Sequence, residues 1–203
     1  EAYRTKVENV GESVYLRGLI EISNICRKNC LYCGIRSDNS AVVRYQLSND
    51  DVLAAAKFAL DAGYGSIVIQ GGERQDKAFA KDIKRLIKKI KRLSRENPLG
   101  ITLTLGEQPL EVYEEWFDAG AHRYLLRIET SNEELYNMIH PSGDLHSFDS
   151  RVRALIDLRY VGYQVGTGVM IGLPFQTAEH LADDLIFFRD FDIDMCGMGP
   201  YIE

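Results

Sequence analysis

The stretch VYLRGLIEISNICRKNCLYCG, residues 14–34, joins an aliphatic segment to a loop that carries three cysteines. The run of β-branched, aliphatic and aromatic residues at its start predicts a strand. A doubly wound sheet would be expected to follow its first strand with a glycine-rich turn, whereas cysteines follow this one. The stretch therefore favours a barrel of alternating strands and helices over a doubly wound sheet.

The rest of the chain alternates short aliphatic runs with longer segments of helical period, which is typical of strand–helix units around a parallel sheet. The predicted strands are 14–23, 66–70, 101–105, 123–129, 163–173 and 194–198, with helices starting near residues 48, 77, 109, 132 and 177. Glycines at 166, 168 and 172 remove side-chain bulk, for either a ligand cavity or a close strand-to-helix contact. The pattern predicts an α/β fold, the first six strands of a TIM-type (β/α) barrel. We expect residues 1–203 to be one barrel core belonging to a longer chain.

Composition and charge argue against a nucleic-acid-binding, membrane-spanning or secreted protein. The 203 residues carry 24 Lys and Arg against 30 Asp and Glu, a net charge of −6 that argues against a general nucleic-acid-binding surface. No stretch approaches the roughly 18 consecutive apolar residues of a membrane span, and the first residues lack the apolar stretch of a signal peptide. Nine Lys or Arg fall within 77–95, where an apolar opposite face indicates a solvated outer helix. We expect a cytoplasmic protein that binds neither nucleic acid nor membrane.

The three clustered cysteines, Cys26, Cys30 and Cys33, have the spacing C-x3-C-x2-C. One loop with this spacing suits a small inorganic cluster, and in a reducing compartment clustered thiols indicate metal rather than disulfides. A structural zinc site takes four protein ligands. The fourth cysteine, Cys196, lies far away in an apolar segment, where we interpret it as a buried core thiol. Three thiolates on a four-iron cluster would leave one iron open for catalysis.

Two other interpretations of the cysteine loop stay open at this point. The loop could belong to an electron carrier, or to a scaffold that holds an iron-sulfur precursor without turnover. It could also form a three-cysteine zinc site completed by one histidine of the chain, His122, His140, His146 or His180.

The cysteine motif, with the aromatic residue Tyr32 before its last cysteine and a position after the first strand of a barrel, resembles that of the radical S-adenosylmethionine (SAM) superfamily. Gly71-Gly72-Glu73, after the second strand, resembles the turn that receives the amino group of SAM in that superfamily. The resemblance implies that the cysteines hold a 4Fe-4S cluster whose open iron binds SAM. It further implies reductive cleavage of SAM to methionine and a 5′-deoxyadenosyl radical.

Within the superfamily, several local strings resemble the HydE family of FeFe-hydrogenase maturases: ISNICRKNCLYCGIR, RYQLS, IVIQGGE, LTLGEQP, AHRYLLRIET, MIGLPFQT and DMCGMGPYI. This resemblance implies radical attack on a small organometallic or cysteine-derived substrate during assembly of the hydrogenase active site. It also implies maturation partners and an electron donor. Methylornithine synthase and biotin synthase share the barrel and the cluster, but LTLGE and RIET favour the maturases.

The resemblance also implies site residues, carried over position by position. Those implied to bind the cofactor are Tyr32, Gln70, Gly71, Gly72, Glu73, Glu107, Glu129 and Arg151. Arg127 and Thr130 are implied to lie on the substrate side. Alternation along RYLLRIET separately puts Arg123, Arg127 and Glu129 on one face, and since the opposite face is apolar, these charges are predicted to point into the barrel lumen. Arg17 is predicted to join them from the first strand, and internal ion pairs that only hold the barrel are the alternative interpretation.

Overall fold

A computed structural model of the protein describes residues 1–202. Six strands form one sheet: β1 (Gly18–Ser23), β2 (Ser66–Gly71), β3 (Gly100–Thr104), β4 (Arg123–Leu125), β5 (Gln164–Ile171) and β6 (Met195–Pro200). The helices are α1 (Ala2–Val10), α2 (Asn49–Asp61), α3 (Lys77–Leu93), α4 (Leu110–Asp118), α5 (Glu133–Met138), α6 (Phe148–Val161) and α7 (Ala178–Asp190), with a 3-10 turn at Asp144–His146.

Each strand pairs in parallel with the next strand along the chain. A doubly wound sheet reverses its strand order at a switch point, and the strands of residues 1–202 keep one direction of progression. This order confirms the predicted α/β fold with the first six strands of a TIM-type barrel. None of the helices in the same residues is long and apolar enough to span a membrane.

Three predicted strands are shorter in the structure than in the sequence pattern. The fifth, predicted over 163–173, spans Gln164–Ile171. The first begins at Gly18, so Arg17 lies outside it and is exposed. The fourth ends at Leu125, after which the backbone stays against β5 through irregular contacts such as the bridge between Glu129 and Val169. Helix α1 was not predicted, and none of its residues is buried against the rest of the fold.

The apolar core fills the space between the sheet and the helices. Tyr124, Leu126 and Ile128 are all buried there, which confirms the predicted alternation along the fourth segment. The amphipathic pattern of α3 is confirmed as well: its apolar stripe of Phe79, Ala80, Ile83, Leu86, Ile87 and Ile90 is buried, while most of its Lys and Arg side chains face solvent.

The pairing of β5 with β6 explains why residue 168 is a glycine, and it shows that the predicted burial of Cys196 is wrong. A Cβ atom on Gly168 would lie 1.8 Å from the backbone oxygen of Gly197, so this glycine permits a close strand-to-strand contact. Cys196 is exposed, and its interpretation as a buried core thiol is wrong. The reason is that β6 borders the described sheet and alternates half-buried with exposed residues along its length.

We expect Gly168→Ala to destabilise the fold by about 1–3 kcal/mol, because the added methyl group meets backbone that cannot rotate away. Gly199→Ala is the matched control on β6, since its Cβ would meet nothing within 4 Å. Chemical denaturation of both variants measures the difference. Equal free energies of unfolding would contradict the close contact.

Candidate active site

The three clustered cysteines lie on the loop that leaves the carboxyl end of β1. The backbone N–H of Cys33 donates to the oxygen of Cys30 at 3.0 Å, and that of Arg36 donates to the oxygen of Cys33 at 3.1 Å. Cys30 is buried, whereas Cys26 and Cys33 are half-buried. These successive turns hold all three thiols on one compact loop with a partly open side.

The surroundings of two of the thiols disfavour free thiolates. Burial raises the pKa of Cys30 to about 11, and burial also raises the pKa of Cys33. Both groups are therefore protonated near neutral pH, and a metal that binds them must displace protons. Several soft sulfur donors on one loop are the ligand set of zinc and iron-sulfur sites.

The loop is also held by one side chain that the sequence argument did not single out. Arg44 begins the string RYQLS, and its guanidinium donates to four backbone oxygens of the loop region. These belong to Asn24 at 2.7 Å, Ile35 at 2.8 Å, Arg36 at 2.7 Å and Asn39 at 3.2 Å. A guanidinium has five N–H donors, which is enough for these four hydrogen bonds.

Two of the histidines considered as zinc ligands contact the loop in other ways. His146 Nε2 accepts from the backbone N–H of Asn29 at 2.8 Å. His140 Nε2 lies 3.4 Å from the hydroxyl of Tyr32, and burial lowers the pKa of His140 to about 4. His122 packs against a phenylalanine ring and His180 caps α7, so neither is part of this loop.

No three His, Cys, Asp or Glu side chains within residues 1–202 come together as ligands of a single metal ion. A four-iron cluster does not require that convergence, because each thiolate binds a different iron.

The turn after β2 touches the cysteine loop directly. A Cβ atom on Gly72 would lie 2.3 Å from the oxygen of Ile25 and 2.8 Å from the Cβ of Cys26. The backbone N–H of Glu73 donates to Cys26 Sγ at 3.3 Å, and Arg27 N–H donates to the oxygen of Glu73 at 2.9 Å. The two motifs found in the sequence therefore form one unit, and glycine is needed at 72 for this approach.

Four charged side chains form a buried network behind the cysteine loop. Lys28 Nζ lies 2.9 Å from Glu107 Oε2 and 3.7 Å from Glu73 Oε1, and Arg151 Nε lies 2.6 Å from Glu107 Oε1. Burial would raise the pKa of Glu107, but the charges of Arg151 and Lys28 outweigh it and lower that pKa. Burial dominates at Glu73, whose pKa is raised. Lys28 was not predicted, although it lies inside the cysteine motif.

Aromatic side chains of the core position the turn that carries Glu107. The hydroxyl of Tyr124 donates to the oxygen of Gly106 at 2.7 Å, and the hydroxyl of Tyr113 accepts from the N–H of Gln108 at 3.0 Å. Gly106 has a φ of 75°, and a Cβ there would lie 2.4 Å from Glu73 Cγ. The turns after β2 and β3 therefore pack against each other as closely as the first two loops do.

Arg127 and Glu129 pair with each other near the carboxyl end of β4. Arg127 Nε lies 3.0 Å from both carboxylate oxygens of Glu129, and its other nitrogens donate to the oxygens of Val169 and Gly197. Glu129 is 6% exposed and has a φ of 68°. This is a costly conformation for a residue other than glycine, and such strain concentrates at functional sites.

The remaining predicted lumen residues do not join this pair. Arg17 and Arg123 lie at the amino ends of β1 and β4, where they contact Met195 Sδ at 3.4 Å and Gln164 Oε1 at 2.7 Å respectively. Thr130 is fully buried close to Glu129 in the chain.

The residues predicted to bind the cofactor also contact different parts of the structure. Gln70 Nε2 donates to Glu21 Oε1 at 3.2 Å across β1 and β2. Gly71 precedes the turn that touches the cysteines, whereas Glu107 and Arg151 pair inside the buried network. The structure thus brings the glycine turn to the cysteine loop, and leaves Gln70 on β2 and Glu129 in the irregular segment after β4.

A model of the radical SAM superfamily matches residues 20–188 of the chain. The chain belongs to the radical SAM superfamily. It is 44% identical over 194 residues to the FeFe hydrogenase maturase subunit HydE of Thermotoga maritima, an alignment that covers 95% of this chain and 53% of that protein. It is 29% identical over 192 residues to biotin synthase of Crocosphaera subtropica, covering 91% and 49% of the two.

Among solved structures, methylornithine synthase PylB has the same fold, with a TM-score of 0.87 at 24% identity. That superposition covers 99% of this chain and 58% of PylB. The chain therefore spans about half the length of the curated relatives it matches. Superfamily members use a 4Fe-4S cluster and SAM, and the donor set of the cysteine loop fits such a cluster.

We expect Gly72→Ala to lower the iron and sulfide content of the anaerobically reconstituted chain severalfold, because its methyl group would push the loop that carries Cys26. Gly34→Ala is the control on the same loop, since its Cβ would meet nothing within 4 Å. Iron and sulfide assays measure the loading, and far-UV circular dichroism checks the fold. Equal loading of the two variants would contradict a tight contact between the two motifs.

Proposed function

We propose that the chain, as a radical SAM barrel core over residues 1–203, cleaves SAM reductively to methionine and a 5′-deoxyadenosyl radical. The contact between the three-cysteine loop and the Gly72–Glu73 turn carries this proposal. A four-iron cluster bound by the three thiolates would have one iron without a protein ligand and would supply the electron for the cleavage. Cys196 lies on β6, away from the loop that leaves β1.

The chain's own residues have distinct tasks in this proposal. Cys26, Cys30 and Cys33 bind the cluster, and the N–H of Glu73 holds the sulfur of Cys26. We assign SAM binding to the remaining cofactor set of Tyr32, Gln70, Gly71, Gly72, Glu73, Glu107, Glu129 and Arg151. The strained backbone of Glu129 supports its place in that set.

The substrate side is assigned to Arg127 and Thr130, which follow β4 at the same edge of the sheet as the cysteines. Arg17 and Arg123 extend this set toward the amino ends of the strands. Together, Arg17, Arg123 and Arg127 suit an anionic, polar substrate.

The identity to HydE supports a role in maturation of FeFe hydrogenase. We propose a small organometallic or cysteine-derived substrate, maturation partners and an electron donor, in the cytoplasm, without nucleic acid or membrane partners. A biotin synthase-like or methylornithine synthase-like reaction is less well supported, because those relatives are at most 31% identical among the ones compared.

Anaerobic reconstitution with iron and sulfide tests the proposal. We expect about four irons per chain, an EPR signal that changes when SAM is added to the reduced protein, and formation of 5′-deoxyadenosine. Cys30→Ser should lose all three, whereas the matched control Cys196→Ser should keep them, because its thiol is exposed on another strand.

Three results would contradict this function: one zinc per chain in place of iron, a cluster signal that SAM leaves unchanged, or 5′-deoxyadenosine formed by Cys30→Ser. The first would support a zinc site, and the second an electron carrier or scaffold.

A further inference from the structure

Lys28 is buried inside the cysteine motif, with 4% of its surface exposed. A lysine is almost never this buried unless it is paired. Its Nζ atom lies 2.9 Å from Glu107 Oε2 and 3.7 Å from Glu73 Oε1, and it also donates to the backbone oxygen of Leu145. Lys28, Glu73 and Glu107 also line one cavity, in which the ammonium group is paired with the two carboxylates.

The network around Lys28 is electrically balanced. Lys28 and Arg151 carry two positive charges, and Glu73 and Glu107 carry two negative ones, with each residue at most 8% exposed. The N–H of Glu107 also donates to Glu73 Oε2 at 2.9 Å. Removing one charge would leave an uncompensated buried charge, which proteins tolerate poorly.

Glu73 connects this network to the sulfur of a cluster ligand. Its Oε2 accepts from the N–H of Glu107, its Oε1 lies 3.7 Å from Lys28 Nζ without a hydrogen bond, and its own backbone N–H donates to Cys26 Sγ at 3.3 Å. Glu73 therefore contacts the charged network through its carboxylate and Cys26 through its backbone N–H. Net charge and hydrogen bonds to the sulfurs are two of the quantities that set the reduction potential of an iron-sulfur cluster.

We propose that Lys28 is a positioning residue that sets the reduction potential and the retention of the cluster bound by Cys26, Cys30 and Cys33. It acts by balancing Glu73 and Glu107 and by fixing the Glu73 N–H against Cys26. This inference rests on the proposed function only in that a cluster occupies the three cysteines.

A charge cycle tests the inference. Lys28→Met leaves the network with a net charge of −1, Glu107→Gln leaves it with +1, and the double variant restores zero. In a potentiometric titration followed by EPR, without SAM, we expect Lys28→Met to lower the reduction potential and Glu107→Gln to raise it. The double variant should return toward the unsubstituted chain, and Lys28→Arg, which keeps the charge, should shift the potential least.

Arg27→Met is the matched control, since it removes a positive charge from the neighbouring, exposed position of the same loop. Solvent screens an exposed charge, so its potential should stay close to that of the unsubstituted chain. An equal shift in Arg27→Met and Lys28→Met would overturn the role assigned to the buried network. So would shifts of the same sign in Lys28→Met and Glu107→Gln.

Retention of iron gives a second readout. We expect a chelator to remove iron from Lys28→Met about tenfold faster or more, the size of effect typical when a group that supports a metal ligand is lost. The inference is supported if the double variant loses iron more slowly than Lys28→Met, because the charge balance is restored. It is overturned if the double variant loses iron as fast as Lys28→Met. An unsubstituted chain that holds a cluster without cleaving SAM would refute the proposed function alone, because both readouts are taken without SAM.

Discussion

In a sheet of parallel strands every carboxyl end lies at the same edge, and neighbouring strands place their following loops side by side. This constraint applies to β1, β2 and β3, which are hydrogen-bonded neighbours in that order. The cysteine loop, the glycine turn and the Glu107 turn are therefore adjacent before any side chain is considered. The side-chain contacts of the site then fix the exact positions of loops that strand pairing has placed next to each other.

The positions of these loops depend on glycines, which have no side chain, as much as on the side chains that pair. A methyl group on Gly72 would overlap the backbone of the cysteine loop, and one on Gly106 would overlap the side chain of Glu73. That closeness lets one residue, Glu73, contact a cysteine sulfur through its N–H and two neighbouring loops through its carboxylate. The site is built from short contacts between loops rather than from one deep cavity.

Local patterns predicted the cysteine motif, the six strands and their order, because spacing and period are properties of neighbouring residues. The fourth strand was predicted too long, since alternation continues to Glu129 while regular pairing ends at Leu125. The burial of Lys28 could not be predicted, because its partners come from turns far along the chain. Cys196 was misplaced for a related reason: an apolar strand buries its side chains only where another element covers them.

The contacts that hold the cysteine loop have a thermodynamic consequence. Arg44, His146 and Lys28 all bind the loop without using a thiol. Fixing backbone costs roughly 1–2 kcal/mol of conformational entropy per residue, and in small zinc domains that ordering accompanies metal binding. In this chain part of that ordering comes from contacts between the loop and the rest of the barrel, so the cysteine loop is anchored by side chains as well as by its thiols.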